Sequence, residues 1–366
     1  MNALIISFGD YDYDGRLREL YALFTGCFET DLMCRAKHSK DKPTYLIEED
    51  SYIKFLFYFS KYKKRMHHYD VLIVDNRKAI LPSNKLKKKI APFKTILDCR
   101  ELYLLREVKS FSSKLGCIFE KKAIKKADLV ICANEARANF MVEYFKLSKK
   151  PIVFENVRRL SFDSDYDERK MFKKFPFVQN DEYRIISTSG CSVFRTDNIL
   201  VENIDKVKST KRIRLILAGD STEKDRAVIN KIIAEKKLEN VIILGRLNQN
   251  EMKFLFNHCH VGIVNYSQVD TNNKYCASGK LYEYVYEGLP IVTTTNPPLK
   301  EICDKYHIGI SDDLFFEGIS RVLKEFDLYK TNVERFISNH SVEDNNSKTR
   351  RELMEWIGEI ALQQTK

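Results

Sequence analysis

Asn272-Asn-Lys-Tyr-Cys-Ala-Ser-Gly-Lys-Leu-Tyr-Glu-Tyr-Val-Tyr-Glu-Gly-Leu-Pro-Ile-Val292 passes from a polar loop through a helical run into a strand. Ser278 is placed to cap a helix from about Gly279 to Glu287, and Gly288 to end it. Pro290 then opens the strand Pro290–Thr294. The free amides at such a helix start attract an anion, and Lys280 adds a full positive charge. Glu283, one turn further in, could accept hydrogen bonds from two vicinal hydroxyls, as on a ribose. An ordinary surface helix carrying a Lys and a Glu fits the same residues.

Outward from this segment, short apolar runs with polar ends alternate with helical ones. In the second half the strands are Arg184–Thr188, Arg214–Ala218, Asn240–Leu244, Val261–Val264 and Pro290–Thr294. In the first half they are Ala3–Ser7, Val71–Asp75, Thr95–Asp98, Leu129–Ala133 and Pro151–Phe154. Continuous apolar strands suit parallel sheets covered on both faces, so the fold class is α/β with two Rossmann-like domains. The alternation lapses around Ser161–Tyr183. The domains expected are therefore 1–165, a linker 166–183, and 184–345, with a helix over 346–366 that crosses back to the first domain. Ligands of such sheets bind beyond the carboxyl ends of the strands, here in a cleft between the halves.

Composition narrows the classes. With 44 % hydrophobic and 31 % charged residues, 366 residues can bury two sizeable cores. No apolar run approaches the ~18 residues of a membrane span. The opening Met1–Ser7 lacks a basic and then apolar leader, so no secretory signal is expected. Nine scattered Cys, with no CxxC, fit reduced thiols in a cytoplasm and exclude the common zinc spacings. Net charge is +11, but Ser51–Lys126 alone holds 20 Lys/Arg against 6 Asp/Glu, net +14, and the other 290 residues carry −3. Such segregation suits a polyanionic partner; a Lys-rich solvated surface is the plainer alternative. Within it, Ser51–His68 interleaves Ile53, Phe55, Phe57 and Phe59 with Lys61, Lys63, Lys64 and Arg65. That is the composition of an interfacial helix on an anionic membrane, or of a segment packed under the sheet.

The order small-Ser-x-Lys-Leu-x-Glu-Tyr over 277–284, followed by Gly288 and Pro290, resembles the donor-binding signature of GT-B-fold glycosyltransferases. The nearest resemblance is to the large retaining family of bacterial capsule, O-antigen and lipopolysaccharide enzymes. Asp14-Gly-Arg-Leu17, Leu97-Asp-Cys-Arg-Glu-Leu102, Glu120 with Ala127–Ile131, Phe154-Glu-Asn156, Ser189-Gly190, Ala218-Gly-Asp220 and Leu244-Gly-Arg246 follow the family's order along the chain. The resemblance implies a nucleotide-sugar donor, most commonly linked to UDP, and a glycan or lipid-linked acceptor in surface polysaccharide synthesis. Lys280 and Arg195 would be catalytic, stabilising the departing diphosphate. Glu283 would bind the ribose, with Gly190, Ser278, Gly279, Leu281 and Tyr275 around the donor. Gly15, Arg16, Asp98, Arg100 and Glu101 would line the acceptor side. The enzyme would work in the cytoplasm, peripherally on the inner face of the membrane.

Three departures bear on this. Cys191 stands where the family often has an Arg, which leaves Arg195 as the cation near Gly190. Tyr275 stands eight before Glu283, where many members have a Glu that touches the sugar. Arg100 replaces a His of the first-domain motif, so the departing phosphate itself would accept the acceptor's proton. Asp163-Ser-Asp165 falls in the polar stretch between the domains, and neither a required metal nor another cofactor is expected. A catalytically inactive scaffold, a nucleotide-sugar epimerase and a nucleic-acid-binding protein are the competing readings; no nucleic-acid module is visible, and no nucleic-acid partner is expected.

Overall fold

The computed structural model describes residues 1–62 and 64–364, without the side chains of residues 59–61, 88 and 359–364. The chain forms two compact units. The first is Met1–Asn156 together with the tail from Glu343 onward, and the second is Val157–Val342.

In the first unit the order is β1 (Asn2–Asp10), α1 (Gly15–Thr25), β2 (Glu29–Arg35), β3 (Tyr45–Leu46), α2 (Tyr52–Tyr62), β4 (Val71–Asp75), α3 (Asn76–Ile90), β5 (Lys94–Cys99), α4 (Phe111–Lys126), β6 (Leu129–Cys132), α5 (Glu135–Phe145) and β7 (Ile152–Val153). The strands make one parallel sheet in the order β3-β2-β1-β4-β5-β6-β7. Residues of β1 explain the unbroken apolar runs. Leu4 and Ile6 pack into the core on one face, Ala3 and Ile5 into the core on the other. Asp14 starts α1 by accepting from the Leu17 amide at 3.0 Å, and Ser110 and Asn134 cap α4 and α5 likewise.

The second unit runs through α6 (Glu168–Lys174), β8 (Tyr183–Ser187), α7 (Asp197–Asn203), β9 (Ile213–Leu217), α8 (Glu223–Lys236), β10 (Val241–Ile243), α9 (Gln249–His258), β11 (Val261–Val264), α10 (Thr271–Lys274), α11 (Gly279–Tyr286), β12 (Ile291–Thr293), α12 (Pro297–Tyr306), β13 (Gly309–Ser311), α13 (Phe316–Lys324) and α14 (Phe326–Asn339). Its parallel sheet has the order β10-β9-β8-β11-β12-β13. Numbered within the unit this is 3-2-1-4-5-6, the doubly wound order whose ligands bind at the reversal beside the first strand. Again Ile185 and Ile186 of β8 face opposite cores.

The structure departs from the sequence reading in two places. Residues 166–183 lie inside the second unit: Phe172 of α6 packs edge-on to Phe254 of α9, and Lys174 pairs with Glu251. Strands β2, β3 and β13 were not expected, because β3 and β13 are only two and three residues long and the apolar part of β2 is the short run Leu32–Cys34. The final helix, α15 (Val342–Gln364), begins at the end of the second unit and buries Leu353 and Trp356 in the core of the first. Thr349 fastens it by donating to the Val153 carbonyl at 3.1 Å.

Candidate functional site

The loops leaving β8 and β9 in the second unit touch. Gly190 has φ +79°, and a Cβ there would lie 1.8 Å from the Asp220 carbonyl oxygen, so both the backbone conformation and the space demand glycine. The next residue, Cys191, is buried at φ +55°, an uncommon conformation for a side chain of its kind. Gly219 faces Gly190 from the other loop. This close crossing accounts for Gly190 without a ligand and leaves the loop's polar groups held in place behind it.

Behind that loop Asp197 is fully buried. Its carboxylate accepts from Ser187 Oγ, the Ser192 amide and Asn265 Nδ2, each at 2.8 Å, while Ser189 Oγ donates to Asn265. Burial raises its pKa, and the three donors oppose that rise. Helix α11 is pinned to the same loop from the other side. Tyr284 Oη accepts from the Thr188 amide at 3.0 Å, and Lys280 Nζ donates to the Thr188 carbonyl at 2.7 Å. The Tyr284 ring lies where a Cβ on Gly262 would be, 2.5 Å from its nearest ring carbon. Ser278 caps α11 by accepting from the Leu281 amide at 3.3 Å. The amides of Gly279 and Lys280 precede the first intrahelical bond and point out of the helix start.

Three cations gather at this helix start. Burial and the neighbouring Arg195 push Lys280 down to about 8; Arg158 adds to this, and Asp197 and Glu283 oppose it. Arg195 lies over the Tyr266 ring, 4.4 Å from its centre. Its Nη1 is buried and, among the described residues, has no hydrogen-bond partner; nor have the buried Thr196 and Ser267 hydroxyls. Arg158 Nε contacts Glu283 Oε1 at 2.6 Å. A buried guanidinium nitrogen with no acceptor is costly unless something anionic satisfies it. Lys280, Arg195, Glu283, Ser278 and Gly279 thus lie together at the start of α11, Gly190 lies in the loop to which Lys280 and Tyr284 are bonded, and the Leu281 side chain is buried in the core. Tyr275, partly buried just past α10, stands before α11. Arg158 was not anticipated; the only trace in the sequence is the pair Arg158-Arg159 soon after Asn156.

In the first unit the strand ends form a different cluster. Arg16 binds Asp98 through Nη2 at 2.9 Å, bonds the Asn156 side chain at 3.2 Å and lies over the Phe154 ring. Arg100 donates to Asp75 through Nε at 2.9 Å and to Asp14 at 2.5 Å, and Ser7 donates to Asp75. Burial raises Asp75, and Arg100 acts against it. Gly15 is the first residue of α1. Glu101 is exposed, and no bond of the arginine–carboxylate cluster described above involves it. Asp75, which completes the cluster, could have been noted as the polar end of Val71–Asp75. The described residues contain no group of three or more His, Cys, Asp or Glu able to hold a metal ion.

Comparison with known proteins adds the following. Residues 195–325 match the family described as glycosyl transferases group 1. No curated protein sequence matches the chain. Among solved structures, it superposes on HepE of Anabaena in complex with UDP-glucose with a TM-score of 0.71 and 14 % identity, over 97 % of this chain and 100 % of that one. Sucrose-phosphate synthase from Thermosynechococcus elongatus gives 0.70 and 14 %, over 98 % and 99 %. WaaG, a glycosyltransferase involved in lipopolysaccharide biosynthesis, gives 0.65 and 11 %, over 95 % and 98 %. At these identities the likeness is one of fold: two parallel-sheet Rossmann-like domains of the GT-B kind.

Proposed function

We propose that this chain transfers a glycosyl group from a nucleotide-sugar donor, with UDP as the nucleotide, to a glycan or lipid-linked acceptor of surface polysaccharide synthesis. The transfer retains the anomeric configuration and needs no divalent cation. The observation that carries the reading is the gathering of Lys280, Arg195 and Arg158 at the start of α11, with Glu283 one turn in and one buried Arg195 nitrogen that lacks an acceptor among the described residues. The group 1 match spans Arg195, Lys280 and Glu283, and UDP-glucose in the structurally similar HepE supports the choice of donor.

Breaking a glycosyl–phosphate bond builds negative charge on the diphosphate and positive charge on the sugar. Cations and helix-start amides fixed beforehand stabilise the departing diphosphate more as its charge grows, which lowers the barrier rather than only tightening binding. Lys280, held by the Thr188 carbonyl, and Arg195, held over Tyr266, are the catalytic pair on this reading. Glu283 accepts from the ribose hydroxyls. Arg100 is committed to two carboxylates; it holds its own strand ends together while the departing phosphate takes the acceptor's proton.

Calorimetry with nucleoside diphosphates tests the site. Charge-assisted hydrogen bonds contribute about 1.5–3 kcal/mol, so Glu283→Ala should bind about tenfold to hundredfold more weakly. Lys280→Ala should lower turnover beyond its effect on binding. A folded Glu283→Ala protein that binds every nucleotide as the parent does would refute the assignment.

The same reading places the protein peripherally on the cytoplasmic face of the membrane. What supports it is the +14 segment and its exposed apolar residues, Phe57 at 73 % and Phe111 at 77 % exposure, with Lys64 and Arg65 exposed nearby. Phe55, by contrast, is fully buried against Phe8. Lys63 and the side chain of Lys61 lie outside the described residues. Among the described residues no helix is long and apolar enough to cross a membrane. Neutralising Lys61, Lys63, Lys64 and Arg65 together should weaken binding to anionic vesicles by up to about 1 kcal/mol per charge. Equal binding by the parent and this variant at moderate salt would remove the membrane from the reading.

A further inference from the structure

Arg158 occupies an unusual position. Its Nε lies 2.6 Å from Glu283 Oε1. It also lies against the first turn of α11: a Cβ on Gly279 would come within 2.5 Å of the same nitrogen and 2.7 Å of the guanidinium carbon. Glycine at 279 therefore leaves the space that lets the guanidinium reach Glu283. The two partners differ in burial. The Glu283 side chain is 10 % exposed and that of Arg158 47 %. A carboxylate this enclosed needs a partner at all times, since an uncompensated buried charge is costly. A half-exposed arginine, in contrast, can leave for water or another anion at small cost.

The oxygen that Arg158 holds is the acceptor a ribose would need. Arg158 also sits in a field that is already positive, because Lys280 and Arg195 share the helix start. Once hydroxyl groups replace it on Glu283, a guanidinium at that spot has a diphosphate as the complementary ligand, and its planar fork suits phosphate oxygens.

We infer that Arg158 is the exchangeable counter-ion of the donor site: it neutralises Glu283 in the absence of nucleotide and passes to the diphosphate when the ribose displaces it. The inference rests on the donor-site reading and adds a residue to it. It makes two opposite demands on one side chain, and these can be separated. A nucleoside competes with Arg158 for Glu283 and gains nothing from it. A nucleoside diphosphate competes as well, but recovers the arginine on its phosphates.

Calorimetry with uridine and UDP, and with the matching guanosine and adenosine pairs, reads both terms on the intact chain. Removing an exposed ion-pair partner releases little, so Arg158→Ala should bind the preferred nucleoside about two- to fivefold more tightly than the parent. The ratio of diphosphate to nucleoside affinity should fall about tenfold or more, because a charge-assisted contact is lost. Arg158→Lys, which keeps a cation, should recover much of that ratio, and melting temperatures establish that each variant is folded. If Arg158→Ala binds the nucleoside no better than the parent, the counter-ion role is wrong. If the ratio is unchanged, the transfer to diphosphate is wrong. A parent that binds none of these nucleotides overturns the donor site itself, and Arg158 with it.

Discussion

The two units share a doubly wound parallel sheet and place charged residues at the same end of their strands, yet they balance those charges differently. At the strand ends of the first unit the two clustered arginines are answered: Arg16 by Asp98, Arg100 by Asp75 and Asp14, with Ser7 and Asn156 filling further positions. In the second, Lys280, Arg195 and Arg158 face Glu283 and an Asp197 whose carboxylate already accepts from Ser187, the Ser192 amide and Asn265. Burial and Arg195 push Lys280 down, and among the described residues a buried nitrogen of Arg195 has no hydrogen-bond partner. In the closed cluster the charges satisfy one another; in the open one the cations outnumber the carboxylates free to meet them. The contrast is one of charge balance, which a list of charged residues in the sequence cannot give.

Breaking the closed cluster should have the largest effect on stability. Asp75→Ala leaves the buried Arg100 guanidinium short of its main partner, and removing one side of a buried pair costs about 3–5 kcal/mol. Denaturant unfolding of the first unit's transition measures this; a loss below about 1 kcal/mol would mean that the cluster is not structural.

The open cluster should behave in the opposite way. Lys280→Met removes a cation that burial and Arg195 already disfavour, so stability should change by no more than about 1 kcal/mol. The kcat/KM for a nucleotide-sugar donor, however, should fall at least tenfold, since a transition-state contact of about 1.4 kcal/mol or more is lost. A variant that melts far below the parent would place Lys280 with the structural residues.

Acidity sharpens the same point. Lys280 is lowered to about 8, so in the unliganded protein it loses its proton, and its charge, as pH rises through that value. The kcat/KM should therefore decline above about pH 8, and Lys280→Arg should shift the decline to higher pH, because the guanidinium stays charged. A profile flat to pH 9.5 in the parent would separate Lys280 from the reaction.

The smallest effect concerns stability alone. Burial, reinforced by Arg184 and Lys211, lowers His260 to about 4, while its Nδ1 accepts from the Arg184 amide at 3.1 Å. Between about pH 6.5 and 4 the unfolded chain takes up a proton that the folded one resists, so stability is lost as pH falls through that window. Partial exposure of the ring screens the effect to about 1 kcal/mol or a little more. His260→Gln should flatten this part of the melting profile, and an unchanged slope would assign the acid sensitivity elsewhere.

Much of the fold was legible because its causes are local. Leu4 and Ile6 against Ala3 and Ile5, or Ile185 against Ile186, must be apolar in succession if both faces of a strand are covered, and that pattern survives in a bare sequence. The helix over Gly279–Tyr286 was legible for the same reason: Ser278, Gly288 and Pro290 act on their immediate neighbours. Edge strands such as Tyr45–Leu46 carry too few residues to show a period, and α6 has no buried residue of its own to distinguish it from a linker.

What only the tertiary structure decided is which charges meet. Arg100 stood in the sequence beside Glu101, but its partners are Asp75 and Asp14, brought to it by β4 and the start of α1. Arg158 lies 125 residues before Glu283 and has no motif of its own, yet it reaches that carboxylate over Gly279. Hydrophobic period and capping arise between neighbours in the chain, so sequence alone determines them. Charge balance in a low-dielectric site depends on distances between residues far apart in the chain, and those distances exist only once the chain has folded.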